Sequence, residues 1–178
     1  MQANQLKSFI AEFPDFPQKG VNFKDISPLL ANPQQFSLAI NEMCQAVENI
    51  EFNKIVAIEA RGFIFAAAIA YKLQKGLIIC RKPGKLPGEL IAKGYNYEYS
   101  SSEISIQKDK LTKDDTVLVV DDVLATGNTA LAAYQLSASC ARVAGYLFFI
   151  ELDFLKGREK LKENSPVTDQ QIYSILHY

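Results

Sequence analysis

The sequence predicts an α/β fold, with a mainly parallel central sheet flanked by helices, in a single domain spanning residues 1–178. Three observations predict it. KIVAIEA (54–60), the helical run ARGFIFAAAIAYKLQKG (60–76) and LIIC (77–80) follow one another in strand, helix, strand order. TVLVVDD (116–122), NTALAAYQLSASCA (128–141) and RVAGYLFFIEL (142–152) repeat that order, and such units imply parallel strands joined by right-handed crossovers. Finally, a chain of 178 residues that is 48% hydrophobic and 22% charged can bury a sizeable core.

The elements can be justified in order. LKSFIAEF (6–13) has helical spacing. PQQFSLAINEMCQAVENI (33–50) sets Phe36, Ile40, Met43 and Val47 on one stripe behind Asn32 and Pro33, an amphipathic helix with start signals. KIVAIEA reads as a short buried strand, and the helix after it is predicted to stop at Gly76. RKPGKLPGELIAKG (81–94), with two Pro, three Gly and several cations, has the composition of a mobile surface loop. YNYEYSSSEISIQ (95–107) alternates like a solvated strand pair. Val117 to Val120 form an apolar run suited to a strand buried on both faces, so Asp121 and Asp122 should sit at its carboxyl end, where water returns. Open α/β sheets bind ligands at that end. There is no internal repeat and no low-complexity tract.

Composition excludes several function classes. Nineteen Lys and Arg against twenty Asp and Glu, with a pI near 5.9, give no bulk field for a polyanion, so nucleic acid is not an expected partner. Cys44, Cys80 and Cys140 are odd in number and outside any CxxC spacing, which argues against a disulfide framework or zinc site and for a reducing, cytoplasmic setting. The most apolar segment, GFIFAAAIAY (62–71), is far shorter than the roughly 20 residues a membrane span needs. The start, MQANQLKSFI, lacks the basic front of a signal peptide.

The stretch VLVVDDVLATGNTA (117–130) carries the chemistry. Ala125, Thr126, Gly127, Asn128 and Thr129 lead from a strand end into a helix start, where backbone amides and the two threonine hydroxyls can converge on an anion such as phosphate. Free carboxylates repel phosphate, so Asp121 and Asp122 make sense facing sugar hydroxyls, which donate hydrogen bonds to them. Phosphate at one end and ribose at the other describes a ribose phosphate. Two other readings stand beside it: acids and threonines that merely decorate a strand end, and an acidic pair that binds metal.

VLVVDDVLATGNTA resembles the ribose-phosphate motif of the type I phosphoribosyltransferases, whose substrate is 5-phosphoribosyl 1-pyrophosphate (PRPP). FPDFPQKGVNFKDISPLL (13–30), EARGFIF (59–65), RKPGKLPGE (81–89), YEYSSSEISIQKD (97–109) and LKGREKL (155–161) resemble the adenine-specific branch of that family, in the same order and over nearly the whole chain. The resemblance implies the type I phosphoribosyltransferase fold, with residues 1–32 as a small base-binding hood and a flexible loop. It also implies purine salvage, in which adenine and PRPP give AMP and pyrophosphate, a substrate-held Mg²⁺ near Asp121 and Asp122 with no direct protein ligand, and a homodimer. One departure is visible. Asn128 follows Gly127 where the family usually has a second glycine, and Asn, tolerant of left-handed backbone, is expected to preserve the loop.

Displacing pyrophosphate from the ribose anomeric carbon builds positive charge on the sugar and negative charge on the leaving group. Arg61, Arg81 and Lys85, with Lys82 as a weaker fourth, are the candidate cations for the leaving group. The resemblance further implies that the backbone at Glu59, Ala60 and Arg61 forms the pyrophosphate loop, with a cis peptide. It implies that Phe23 stacks on the base opposite Leu152, that backbone groups of Asn22 and Lys24 read its edge, and that Glu98, with Tyr99 beside it, handles the N7 proton. Glu103 is the carboxylate most easily confused with Glu98, and His177, near the end of the chain, is assigned an incidental role. Two competing functions remain. An enzyme for a 6-oxopurine would need a donor in place of an acceptor at the base, and a silent PRPP-sensing regulator would need a DNA-binding segment.

Overall fold

The computed structural model describes residues 2–96 and 101–178. Its first elements are α1 (Gln2–Lys7) and β1 (Ala11–Phe13), the latter antiparallel to β2 (Phe23–Asp25) with Ala11 opposite Asp25. The predicted helix over 6–13 is therefore corrected: it closes at Lys7 through bonds from Phe9 and Ile10 amides to Leu6 and Lys7 carbonyls. A helix of this length is marginal alone, and pairing with β2 satisfies the following backbone better.

Next come α2 (Ser27–Leu30) and α3 (Pro33–Ala46). The Asn32 side chain accepts from the Gln35 amide at 3.1 Å, and Pro33 fills the first turn, where no N–H is needed. The predicted stripe faces inward, with Ile40, Met43 and Val47 buried and Phe36 packed beside them. Strand β3 (Lys54–Ile58), α4 (Gly62–Leu73) and β4 (Gly76–Cys80) form the first crossover unit. Here α4 ends at Leu73, earlier than predicted. Gln74 takes the left-handed cap at φ 53°, and Gly76 already belongs to β4.

Strands β5 (Leu90–Asn96) and β6 (Ser101–Gln107) pair antiparallel. Leu90 to Gly94, read from sequence as loop, thus lie in a strand, and the pair is not fully solvated, because Ile104 and Ile106 are buried against the sheet. The second crossover unit is β7 (Thr116–Leu124), α5 (Asn128–Ala138) and β8 (Arg142–Glu151), followed by α6 (Gly157–Asn164) and β9 (Ile172–His177). The central sheet is wholly parallel, in the order β4-β3-β7-β8-β9.

Both faces of this sheet are covered, which explains the unbroken apolar runs. Ile55, Ala57, Leu118, Val120, Leu147 and Phe149 join one core with Leu6, Ile40, Met43 and Phe65, whose ring stacks 4.8 Å from that of Phe149. The alternating Val56, Ile58, Val117, Val119, Tyr146 and Phe148 join a second core with Ile106, Leu136 and Leu161. Each Val, Leu, Ile, Met or Phe among them contributes about 1.5–3 kcal/mol on full burial. Together the two cores hold the strand ends in fixed register beneath the site. No helix among the described residues is long and apolar enough to cross a membrane.

Candidate active site

Strand β7 does not stop at its aspartates. It pairs with β8 from Thr116 to Leu124, with Asp121 opposite Phe148, so both acids lie inside the strand instead of beyond its end. Asp121 is half-buried and Asp122 is buried, so the expectation that water meets both carboxylates is corrected. The reason is that continued pairing satisfies the backbone and carries the side chains inward with it. Burial and the neighbouring Asp122 charge push the Asp121 carboxyl well above its ordinary range. Burial also raises Asp122, against the pull of Arg61. Arg61 Nε lies 2.6 Å from Asp122 Oδ2 as an ion pair, yet its N–H is not aimed along the contact, and that buried oxygen has no directed donor among the described residues.

Arg61 caps the start of α4, where a cation opposes the helix dipole. Its surroundings supply the compensation: Asp122 beside it, the Phe23 ring 4.8 Å from the guanidinium carbon, and the Lys24 carbonyl, which accepts from Nη1 at 3.2 Å. Just before it, the Glu59–Ala60 peptide is cis. The Glu59 carboxylate accepts from Arg81 Nε at 2.8 Å and from the Lys82 amide at 2.6 Å. Burial would raise the Glu59 pKa, but Arg81 and Lys82 outweigh it and hold it low. Arg81, predicted as a cation for the leaving group, is therefore already paired. With Nη1 donating to the Lys85 carbonyl at 3.0 Å, it braces the loop. Lys82 and Lys85 are exposed and form no ion pair among the described residues.

Residues 125–129 connect β7 to α5, and a cavity of about 220 Å³ is lined by Asp121 and residues 123–130. Gly127 is left-handed, at φ 79°, and packs on the first residue of α6: a Cβ at Gly127 would lie 2.8 Å from the Gly157 carbonyl oxygen, and one at Gly157 would lie 2.2 Å from that of Ala125. The expected left-handed role for Asn128 is corrected. Asn128 is the first residue of α5, the left-handed residue is Gly127, and the Asn128 Oδ1 accepts from Lys160 Nζ. Thr126 is exposed and Thr129 half-buried at the same helix start, where the first amides have no partner within the helix.

On the base side, the half-buried Phe23 meets Phe16 edge-on at 5.2 Å. The Asn22 side chain donates to Glu12 at 2.8 Å, and Lys24 pairs with Glu12 at 2.8 Å while its ammonium lies 4.0 Å over the Tyr178 ring. Leu152 is half-buried, and its amide donates to the Leu124 carbonyl at 2.9 Å, which ties it to the end of β7. Glu98 and Tyr99 lie outside the described residues. Glu103 is exposed on β6 opposite Gly94. His177 contacts Asp153 at 2.9 Å, and the neighbouring Glu151 is held at both oxygens by Arg158. Sequence reasoning missed Glu12, Tyr178 and Lys160. The cited partners lie from 12 to 154 residues away in the chain, which no local pattern records.

A family model, the phosphoribosyl transferase domain, matches residues 26–143. The chain belongs to the phosphoribosyltransferase family. Among family members, an adenine phosphoribosyltransferase of Pseudothermotoga lettingae is 50% identical over 159 residues, covering 89% of this chain and 94% of the relative. The crystal structure of adenine phosphoribosyltransferase from Thermoanaerobacter pseudethanolicus aligns with a TM-score of 0.93 at 40% identity, covering 99% of each chain. That of the Saccharomyces cerevisiae enzyme, complexed with an imino-altritol bisphosphate and adenine, aligns at 0.88 and 36% identity over 98% of each chain. The family fold is thus present along the whole length compared.

Proposed function

We propose that this phosphoribosyltransferase is a purine-salvage glycosyltransferase that converts adenine and PRPP to AMP and pyrophosphate. The observation that carries this reading is the continuity of β7: a half-buried and a buried carboxylate run straight into an amide-rich loop that lines a cavity of about 220 Å³, room for a sugar phosphate. The choice of adenine is supported by the relatives, several of which are adenine phosphoribosyltransferases, one bound to adenine itself.

In this reading the amides of 125–129 hold the 5′-phosphate, and ribose hydroxyls donate to Asp121 and Asp122. Those donors relieve the repulsion between the two acids, so the strained free pair is complementary to sugar. The backbone at Glu59, Ala60 and Arg61, with Lys82 and Lys85, faces the departing pyrophosphate. Arg61 exchanges Asp122 and the Phe23 ring for pyrophosphate oxygens, which bares one face of Phe23 for the purine and leaves Leu152 for the other. It also frees the Lys24 carbonyl, an acceptor of the kind the adenine amino group needs and a 6-oxopurine does not. The purine N9 attacks the anomeric carbon as the bond to pyrophosphate oxygen breaks, and Glu98, beside Tyr99, takes the proton that adenine gives up at N7.

Asp121 and Asp122 fit a Mg²⁺ held through sugar hydroxyls or water, since both carboxylates are crowded and one buried oxygen lacks a directed donor. Such an ion, when bound, would neutralise pyrophosphate charge. Residues 1–32 act as the base hood, and the loop over 81–88, with Gly84 and Gly88 at positive φ, as a cover that keeps water out. A homodimer is supported by Ile64 and Tyr71 of α4 and Leu77 and Ile79 of β4, all exposed apolar side chains on adjoining elements. Free Cys44, Cys80 and Cys140 suit the cytoplasm.

The test is pyrophosphate release on mixing the protein with Mg²⁺, PRPP and adenine, hypoxanthine, guanine or no base, alongside Glu98→Ala. Release with adenine alone, reduced roughly 10²–10⁴-fold by the substitution, is expected. Release with a 6-oxopurine would overturn the choice of base, and none with any base would overturn the activity.

A further inference from the structure

Building on the proposed function, we propose that Lys160 is a phosphate-binding residue of this site, held at the rim of the 125–129 loop by the Asn128 side chain. The cavity at the loop is lined by one carboxylate, Asp121, and by no cationic side chain among its described lining. A phosphate dianion seated there on amides alone would face a nearby negative charge with no full positive charge to offset it. The other candidate cations near the site are engaged or exposed: Arg61 pairs with Asp122, Arg81 pairs with Glu59, and Lys82 and Lys85 lie on the 81–88 loop.

Lys160 differs from all of these. It sits on α6, one turn after Gly157, whose backbone packs against Gly127 and Ala125 of the loop, so the placement of α6 relative to the loop is rigid. Its ammonium donates to Asn128 Oδ1, a neutral acceptor belonging to a residue that lines the cavity. Among the described residues no carboxylate lies within ion-pairing distance of it, so its charge is uncompensated, and two further N–H donors are available. The side chain is half-buried, which limits the screening of that charge by water. Asn128 then acts as a positioning residue: its amide oxygen fixes the ammonium beside the first turn of α5, where the anion binds.

The test is calorimetric binding of AMP and of adenosine, ligands that differ in the 5′-phosphate, to the full-length protein and its Lys160→Met, Lys160→Arg and Asn128→Ala variants. Lys160→Met is expected to weaken AMP about tenfold and to leave adenosine unchanged, while Lys160→Arg restores most of the loss. Asn128→Ala is expected to weaken AMP about threefold, again sparing adenosine, because the charge remains but loses its support. Equal weakening of both ligands by Lys160→Met, or no weakening of AMP, overturns the role of Lys160 and leaves the proposed function standing. A parent protein that binds neither ligand overturns the proposed function, and this role with it.

Discussion

Carboxylates lie just before strand β7 and within its far half, and the fold treats them in opposite ways. Asp115, just before the strand, is buried, but each oxygen has donors: Asn53 at 3.0 Å, Lys54 at 2.8 Å, and the Thr112 amide and hydroxyl at 2.8 and 3.1 Å. Burial alone would raise its pKa, yet these donors lower it from 3.8 to about 2. Toward the far end Asp121 and Asp122 are also withdrawn from water, but they share a single cation, Arg61, and burial pushes both up. The same residue type along one short stretch of chain serves to fasten the structure where its donors are internal. Where they are too few, as at Asp121 and Asp122, the proposed ribose hydroxyls would bring more.

The largest effect that would separate the two ends is on activity. Asp121→Asn is expected to lower kcat/KM by roughly 10²–10³-fold while leaving the thermal midpoint unchanged or raised, since it removes a repelling charge. Steady-state kinetics beside a melting curve reads both, and a fall in midpoint would show that the pair stabilises the free protein after all.

Asp115→Asn should do the reverse. The loss of a buried, multiply bonded acceptor is expected to cost about 2–3 kcal/mol in denaturant unfolding, with activity per folded molecule intact. An equally large drop in turnover would mean that the base of the sheet is coupled to the site.

The smallest effect is in the pH dependence. The Asp115 pKa is lower in the folded state, so its stabilisation is present above pH 3.8 and is lost as pH falls toward about 2, a change of about 2 kcal/mol. Asp121 and Asp122 have the opposite sign: raised in the folded state, they make stability fall as pH climbs above the ordinary carboxylate range. Denaturant midpoints across acid pH should therefore flatten at the low end in Asp115→Asn and at the high end in Asp121→Asn. Identical profiles for parent and variants would erase the contrast.

Much of the fold was legible in the chain. Two crossover units and the Asn32 cap follow from patterns shorter than about 20 residues, the range over which hydrophobic period and capping chemistry act. The errors fell where pairing overrode local preference: the strand at Ala11–Phe13, the strand taken from the loop at Leu90–Gly94, and the early end of α4 at Leu73. At the site, the order of acids, loop and helix was legible, whereas the partners were not. Arg61 could be suspected from its position against a helix dipole, but nothing in the sequence joins it to Asp122, Phe23 and Lys24 at once. Lys24 with Glu12 and Tyr178, and Lys160 with Asn128, were silent for the same reason.

The sequence by itself determined the parallel α/β architecture, the apolar strands, and the placing of two acids before a phosphate-type loop, because periodicity and adjacency along the chain encode these. Only the tertiary structure decided that β7 runs on through its aspartates, that Arg61 is their counter-ion, and that α6 is seated against Gly127 with Lys160 on Asn128. Those outcomes depend on which distant groups share a desolvated space, and charge is felt through space, not along the chain.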